Sequence, residues 1–199
     1  MSRYAVDVVI LPPEPAMDLA VSWNKELAMQ AHQTITLNKQ DTLPHVSLLM
    51  GCLPSEWLPD AERILRELAD QQRCFPLFVL GLRTLAGSHP VVSLDIELSE
   101  PLKALQRRLI HALEPLLTRD AQDNDLYEAQ AVSPAVLTWI NSFVPDQCED
   151  RFWPHITLGH GHPRGIQPPF TFTASRIAIC HLGDHCTCRH ILAEASLPL

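Results

Sequence analysis

The order of apolar and polar positions predicts a chain in which β-strands outnumber α-helices. Residues 3–11 (RYAVDVVIL) are mostly β-branched and apolar and end at Pro12-Pro13, which predicts a buried strand. The shorter runs TITL (34–37) and HVSLLM (45–50) predict two more. Similar runs predict further strands at 77–85, 91–98, 155–159, 170–175, 177–182 and 190–195.

Apolar residues at spacings of three and four predict helices between these strands. The pattern indicates helices over 14–32 and 59–72, and a shorter one over 133–143. Ser99 is expected to cap another helix, whose buried stripe is Leu102, Leu105, Leu109, Leu113 and Leu116. Because helices and strands do not alternate one for one, the sequence predicts an α+β fold with antiparallel sheets rather than a doubly wound parallel sheet.

One short motif occurs in both halves of the chain. LPHVSLLMG (43–51) and WPHITLGHG (153–161) both read Pro-His-(Val/Ile)-(Ser/Thr)-Leu. In a strand, side chains two positions apart point to the same face, so His45 lies beside Ser47 and His155 beside Thr157. The aliphatic residues between them face the core. The repeat predicts two lobes of similar build that face each other, each supplying one imidazole and one hydroxyl.

Two imidazoles across a cleft suit in-line displacement at phosphorus. A neutral histidine takes the proton from the attacking oxygen, and a protonated one gives a proton to the leaving oxygen. The usual imidazole pKa of about 6.5 makes both forms available near neutral pH. The hydroxyls of Ser47 and Thr157 can donate to the non-bridging phosphate oxygens. This chemistry requires neither a metal ion nor a cofactor.

These motifs resemble those of the 2H phosphoesterase superfamily, the LigT-like 2′-5′ RNA ligases and RNA 2′,3′-cyclic phosphodiesterases. Two His-x-(Ser/Thr)-x motifs define that family, and His45/Ser47 and His155/Thr157 match them position by position. The resemblance covers residues 3 to about 195. It implies one domain (1–199) of two interleaved, pseudo-twofold lobes, each an antiparallel sheet with helices outside, around a central groove that holds both motifs.

The resemblance also implies a substrate class. Members act on cyclic phosphates or 2′-5′ phosphodiester bonds of nucleotides and RNA ends, so the expected partner is a substrate of this kind. His45 and His155 are the expected catalytic pair, and Ser47 and Thr157 the expected phosphate ligands. Since ligation is the reverse of the same chemistry, the sequence leaves hydrolase and ligase open.

The chain departs from the family pattern in two places. Many LigT-like proteins carry an arginine shortly after the second motif, whereas HITLGHGHPRG offers two histidines first and an arginine only later. The stretch 118–150 does not match the family's core pattern. Aromatic residues that can stack on a base lie in or beside this stretch, with Tyr127 and Trp153 preferred over Trp139 and Phe143. The expected further substrate contacts are Tyr127, Trp153, His160, Arg164 and His181.

The net charge of −8 is concentrated in one segment. Residues 118–150 contain seven acidic residues and a single arginine, a net charge of −6, which leaves −2 for the rest of the chain. A long basic track for polymeric RNA is therefore not expected, and small substrates or chain ends fit better.

No apolar run is long enough for a membrane helix, and no signal peptide is recognised, so we expect a cytoplasmic protein. Its six cysteines are then expected to be thiols, and no protein partner is evident.

Two other functions stay open at this stage. The segment CHLGDHCTCRH (180–190) concentrates three cysteines and three histidines that could hold zinc, although their spacing fits no standard zinc motif. The alternative is a hairpin with buried cysteines. The groove could also belong to a module that binds nucleotides or RNA ends with little catalysis, although a pure binder has no need of two titratable groups.

The sequence also suggests which histidine is the acid. His160, His162 and Arg164 follow His155 closely and would disfavour its protonated form if they face the groove. His45 is therefore expected to be the acid and His155 the base.

Overall fold

Eight β-strands and four α-helices make up most of the regular structure in the computed structural model, which describes residues 2–29, 34–87, 90–128, 132–148 and 151–199. The strands are β1 (Arg3–Ile10), β2 (Val46–Pro54), β3 (Phe75–Leu85), β4 (Val91–Ile96), β5 (His155–His160), β6 (Phe170–Ala174), β7 (Arg176–Leu182) and β8 (Cys188–Ser196). The helices are α1 (Glu14–Ala28), α2 (Leu58–Asp70), α3 (Glu100–Leu113) and α4 (Pro134–Gln147).

The strands form two four-stranded antiparallel sheets, ordered β2-β1-β7-β8 and β5-β4-β3-β6. The predicted α+β fold with two antiparallel sheets is confirmed. In each sheet the strand with the Pro-His motif lies at an edge, and these edge strands, β2 and β5, contact each other. A helical connection leads to each edge strand, as β1–α1–β2 in one lobe and, with a second helix, as β4–α3–α4–β5 in the other. This correspondence agrees with the predicted pseudo-twofold relation.

Amphipathic helices cover the sheets. Helix α2 packs against β7, β8 and α3 through a buried face. Helix α3 buries four of the five predicted leucines, whereas Leu116 is only half-buried in the 3-10 turn that follows. Ser99 occupies the N-cap position, but its hydroxyl makes no capping hydrogen bond; Glu100 and Pro101 in the first turn favour the helix start instead. No helix within the described ranges is both long and apolar enough to cross a membrane.

Both motif strands carry a β-bulge at the same place. The residue directly after the hydroxyl has no partner in the ladder, and it is Leu48 in β2 and Leu158 in β5. A bulge bends its strand and re-aims the neighbouring side chains. Next to the second bulge, Gly159 has a φ of 136°, a backbone conformation that favours glycine. The repeat in the sequence is therefore also a repeat in backbone geometry.

A buried amide side chain from the opposite lobe holds each bulge. Asn24 of α1 donates to the Leu158 carbonyl (2.7 Å), and Gln106 of α3 donates to the Leu48 carbonyl (3.2 Å). Since a bulge interrupts the hydrogen-bond ladder, these buried carbonyls need such partners. The two contacts cross between the lobes and fix both motif strands.

The predicted strand at 34–37 is wrong, because this segment is irregular. Its side chains Ile35 and Leu37 are buried as in a strand. However, Asn24 supplies the backbone partners that a neighbouring strand would provide, donating to the Ile35 carbonyl (2.9 Å) and accepting from the Leu37 N–H (2.9 Å). Helix α1 ends at Ala28, before the predicted residue 32, and residues 30–33 lie outside the described ranges.

We expect Asn24→Ala to lower the free energy of unfolding by about 3 kcal/mol, because it leaves three buried backbone groups without partners. Urea unfolding followed by circular dichroism measures this change. Asn38→Ala is the matched control, since Asn38 makes its hydrogen bonds in an exposed turn. Equal losses in the two variants would contradict the role assigned to Asn24.

The described residues of the acidic stretch, 118–128 and 132–148, cover one face of the first sheet. Helix α4 lies in it and extends beyond the predicted 133–143, with Ser133 accepting the Ala135 N–H as its cap. Apolar side chains of this stretch form a second core cluster with residues of β1, β2, β7 and β8. Arg3 neutralises part of the local charge through ion pairs with Asp120 (2.9 Å) and Asp125 (2.7 Å).

Candidate active site

The first motif begins where the chain enters β2. His45 Nδ1 lies 2.8 Å from the Leu43 carbonyl oxygen. Because a carbonyl can only accept, Nδ1 carries the proton, and Nε2 of the neutral ring holds a free lone pair. Ser47 lies two residues on and donates from Oγ to Asp7 Oδ2 (2.6 Å). The intervening Val46 is fully buried, as the alternation predicted.

The second motif repeats this arrangement at the start of β5. His155 Nδ1 lies 2.9 Å from the Trp153 carbonyl oxygen, so the same tautomer is selected. Thr157 lies on the same face of the strand, and Ile156 between them is fully buried. In both motifs the backbone two residues before the histidine thus orients the ring and leaves Nε2 available.

One cavity of about 340 Å³ contains both motifs. His45, Ser47, His155 and Thr157 all line it, which places the two imidazoles and two hydroxyls in a shared space as the repeat predicted. Other polar lining residues are His160, His185 and Thr187. The remaining wall is mainly apolar, with contributions from the irregular segment and α4: Ile35, Leu37, Met50, Leu85, Val91, Ala135, Val136, Trp139, Phe143, Trp153 and Cys186. A cavity with an apolar wall and few polar groups is typical of small-molecule sites.

Burial determines the protonation of the two histidines. Desolvation lowers the pKa of His45 to about 4; the Leu43 hydrogen bond opposes this shift and the charge of His155 adds to it. Desolvation also lowers the pKa of His155, while the Trp153 hydrogen bond and Asp95 raise it and Arg83 lowers it. Both rings are therefore neutral in the empty site at pH 7.

The environment of His45 does not support the expectation that it is the acid. That expectation assumed that three basic residues after His155 face the groove, but only His160 lines the cavity. The strong desolvation of His45 opposes its protonation more than the absence of nearby cations favours it. We therefore reverse the assignment below.

Asp7 lies under the first motif and was missed as a site residue. It is fully buried in β1, and burial raises its pKa well above the ordinary carboxyl value, with the Ser47 hydrogen bond opposing the shift. Its Oδ2 is 3.6 Å from His45 Nε2. The signal was present in the sequence, since an acid inside an otherwise apolar strand is costly to bury unless it serves a purpose.

An aromatic and charged group lies behind the second motif. The Trp153 ring stacks on His155 with centroids 4.1 Å apart, and the Arg83 guanidinium lies 4.5 Å from the Trp153 centroid. Trp153 Nε1 donates to Asp95, which also lies 3.7 Å from Arg83. Trp153 is thus a cavity residue as predicted, whereas Arg83 on β3 is far away in sequence and was not foreseen.

The other predicted contacts divide into two groups. His160 lines the cavity, whereas Tyr127, Arg164 and His181 are not among its lining residues. Arg164 is exposed, and its backbone N–H donates to Glu26. Tyr127 and His181 pack edge to face at 5.5 Å in a separate group of rings, and His181 Nε2 donates to the Asp125 carbonyl (2.8 Å). Trp139 and Phe143, the less favoured aromatics, line the cavity instead.

The hairpin 180–190 does not assemble the proposed zinc ligands among themselves. Across the described ranges, the grouping that could hold a metal ion consists of Asp7, His45 and Cys188, so only one ligand comes from the hairpin. All six cysteines are free thiols, and Cys180 and Cys188 are buried as the hairpin alternative predicted.

Comparisons with known proteins show the family and the fold of this chain. The family model of the 2′-5′ RNA ligase superfamily matches residues 24–181, which include both motifs. A comparison with curated protein sequences finds no match.

Solved structures share the fold at low sequence identity. The protein TT0787 of Thermus thermophilus is 19% identical, with a TM-score of 0.64 over 97% of this chain and 97% of that protein. E. coli LigT in its apo form is 14% identical, with a TM-score of 0.59 over 100% of both chains. LigT complexed with 3′-AMP is 15% identical, with a TM-score of 0.53 over 98% of this chain and 99% of that one.

Proposed function

Because the chain belongs to the 2′-5′ RNA ligase superfamily, we propose that it is a metal-independent phosphodiesterase for 2′,3′-cyclic phosphates or 2′-5′ linkages of nucleotides or RNA ends. The observation that carries this proposal is the pair of imidazoles in one cavity, each with Nδ1 bound to a backbone carbonyl and Nε2 free. A site with two such groups suits proton transfer at both ends of an in-line displacement.

In hydrolysis of a cyclic phosphate, His45 is the base and His155 the acid. His45 Nε2 removes a proton from water as the water oxygen bonds to phosphorus. Protonated His155 gives its Nε2 proton to the ribose oxygen as the opposite phosphorus–oxygen bond breaks. The anionic substrate favours the protonated form of the acid, because a nearby negative charge raises an imidazole pKa.

The hydroxyls and Arg83 stabilise the phosphate. Thr157 lines the cavity beside His155 and donates to a non-bridging oxygen as its charge increases. Ser47 lines the cavity beside His45 and donates in the same way once its hydroxyl hydrogen turns from Asp7 towards the phosphate. Arg83 is not among the lining residues of the cavity; it lies over the Trp153 ring, whose other face stacks on His155, and adds positive charge to the second motif from there.

The apolar wall favours a nucleotide over a bare phosphate ester. Trp139 and Phe143 offer aromatic surface on which a base can stack, whereas the faces of Trp153 are covered by His155 and Arg83. Solved structures of E. coli LigT complexed with ATP and with 3′-AMP support this choice of ligand class.

The six free thiols are consistent with a protein that works in a reducing compartment such as the cytoplasm.

We expect kcat/KM for a cyclic nucleotide to be greatest in mildly acidic solution, between about pH 4 and 6.5. The base His45 must be deprotonated, so activity falls as the pH drops towards its pKa of about 4. The acid His155 must be protonated, so activity falls as the pH rises through a pKa that burial holds below 6.5. A pH–rate profile measures both limbs.

An Arg83 variant tests the assignment of the alkaline limb. Arg83 lowers the pKa of His155, so Arg83→Gln should move that limb to higher pH. Arg63→Gln, on the exposed face of α2, is the control that should leave the profile in place. A shift of the acidic limb instead would show that His155 is the base and His45 the acid.

A panel of substrates tests the reaction class. EDTA-treated protein is incubated with 2′,3′-cyclic nucleotides, oligonucleotides that end in a cyclic phosphate, and 2′-5′ dinucleotides. Ring opening or linkage cleavage supports the phosphodiesterase, and joining of ends identifies a ligase. Tight binding without product from any of them would contradict the proposal and favour a binding module.

A further inference from the structure

Three potential metal ligands from different parts of the chain meet beneath the cavity. Asp7 of β1, His45 at the entry to β2 and Cys188 of β8 each place a ligand atom within 4.8 Å of the other two. Asp7 and Cys188 are fully buried, and His45 lines the cavity above them. The Leu43 N–H bonds to the Cys188 carbonyl (3.0 Å), which holds the segment that carries His45 against β8.

One distance within this group already matches that between two ligands of a tetrahedral ion. Zinc bonds of about 2.0–2.3 Å place neighbouring ligand atoms about 3.3–3.8 Å apart. His45 Nε2 and Asp7 Oδ2 already lie 3.6 Å apart. The Nδ1–H bond to the Leu43 carbonyl orients the ring as it does in many metal-binding histidines and leaves Nε2 as the donor.

One ligand group has unused bonding capacity. Asp7 Oδ1 is buried and has no hydrogen-bond partner within the described part of the chain. Cys188 is a fully buried thiol outside any disulfide, and it shares a hydrogen bond with Cys180. A buried carboxyl oxygen without a partner is destabilising by itself, and a cation is one partner that satisfies it.

We propose that this group is a zinc site and that zinc inhibits the protein. The ion binds Asp7, His45 Nε2 and the Cys188 sulfur, releasing the carboxyl proton of Asp7 and the thiol proton of Cys188 to solvent, and its fourth position opens to the cavity. Nitrogen, sulfur and oxygen donors together favour zinc over calcium or magnesium, which prefer oxygen alone. Inhibition follows because the ion occupies the lone pair that His45 needs as a base; this step rests on the proposed function, whereas binding does not.

Zinc titration of the metal-stripped protein tests the site. Calorimetry should show one equivalent bound, and Cys188→Ala should weaken binding more than about 100-fold, since loss of an outer-shell partner alone costs 10–100-fold. Cys188→Ser is the second variant in case the smaller residue does not fold, and circular dichroism checks both. Cys74→Ser is the control, because the Cys74 sulfur bonds to the Leu197 carbonyl elsewhere in the fold.

Cobalt provides a readout that is independent of activity. Co²⁺ bound to a thiolate absorbs through sulfur-to-metal charge transfer, so the band should appear in the wild type and Cys74→Ser and be absent in Cys188→Ala. An unchanged band or unchanged zinc affinity in the Cys188 variants overturns the site. Stoichiometric binding without any loss of turnover overturns the inhibition, and absence of turnover in the metal-free protein counts against the proposed function alone.

Discussion

Replacing either motif histidine with alanine should lower kcat for a 2′,3′-cyclic nucleotide by about 10³-fold. Acid or base catalysis by a positioned side chain contributes roughly 10²–10⁴-fold, and each imidazole is proposed to serve one end of the displacement. The double variant His45→Ala/His155→Ala should be little worse than either single variant, because groups that act as a unit are strongly non-additive. Steady-state kinetics on EDTA-treated proteins measures all three.

His111→Ala is the control for these variants. His111 is exposed on α3 and does not line the cavity, so its removal should leave kcat unchanged. Thermal unfolding of each variant separates lost catalysis from lost fold. Near wild-type turnover in a folded His45 or His155 variant would refute the two-histidine mechanism.

Thr157→Val should lower kcat by about 10²–10³-fold with little change in KM. Valine keeps the shape of threonine and removes only the hydroxyl, which is expected to bond the phosphate most strongly as charge accumulates in the transition state. Loss of one such donor typically costs this factor. Single-turnover kinetics separates the chemical step from product release.

Thr157→Ser is the matched variant, because it restores the hydroxyl on a smaller side chain. It should recover most of the rate that valine loses. Equal losses in the serine and valine variants would show that the methyl group matters and the hydroxyl does not. An increase in KM with unchanged kcat would instead assign Thr157 to ground-state binding.

The shared face of each motif histidine and its hydroxyl was predictable because strand periodicity is local. A histidine and a hydroxyl two residues apart share a face wherever the strand lies, and the second copy indicated a facing lobe. The structure confirms the two antiparallel sheets, and it places all four predicted side chains in one cavity.

The parts that were missed depend on contacts between distant segments. Nothing near Asn24 or Gln106 in sequence shows that these amides complete bulges in the opposite lobe. The side-chain amide of Asn24 also supplies the backbone hydrogen bonds of the segment that was predicted as a strand and is irregular in the structure. Arg83 reaches the second motif only because β3 and β5 both pair with β4.

Burial also reversed one inference about charge. Because several basic residues follow His155 in the sequence, His155 was expected to have a lower pKa than His45. In the folded protein, desolvation lowers the pKa of His45 to about 4, an effect that no count of nearby residues reveals. The role of Asp7 was unpredictable for the same reason, because it depends on which side chains pack against β1 in the folded protein.

Phosphorus NMR of the metal-stripped protein with a 2′,3′-cyclic nucleotide tests the central claim most directly, because it follows the bond that the two histidines are proposed to break. We predict that the cyclic-phosphate resonance is replaced by that of a phosphomonoester in the presence of EDTA, and that it persists with His45→Ala/His155→Ala. A resonance unchanged by the wild type, or converted equally fast by the double variant, would contradict the account.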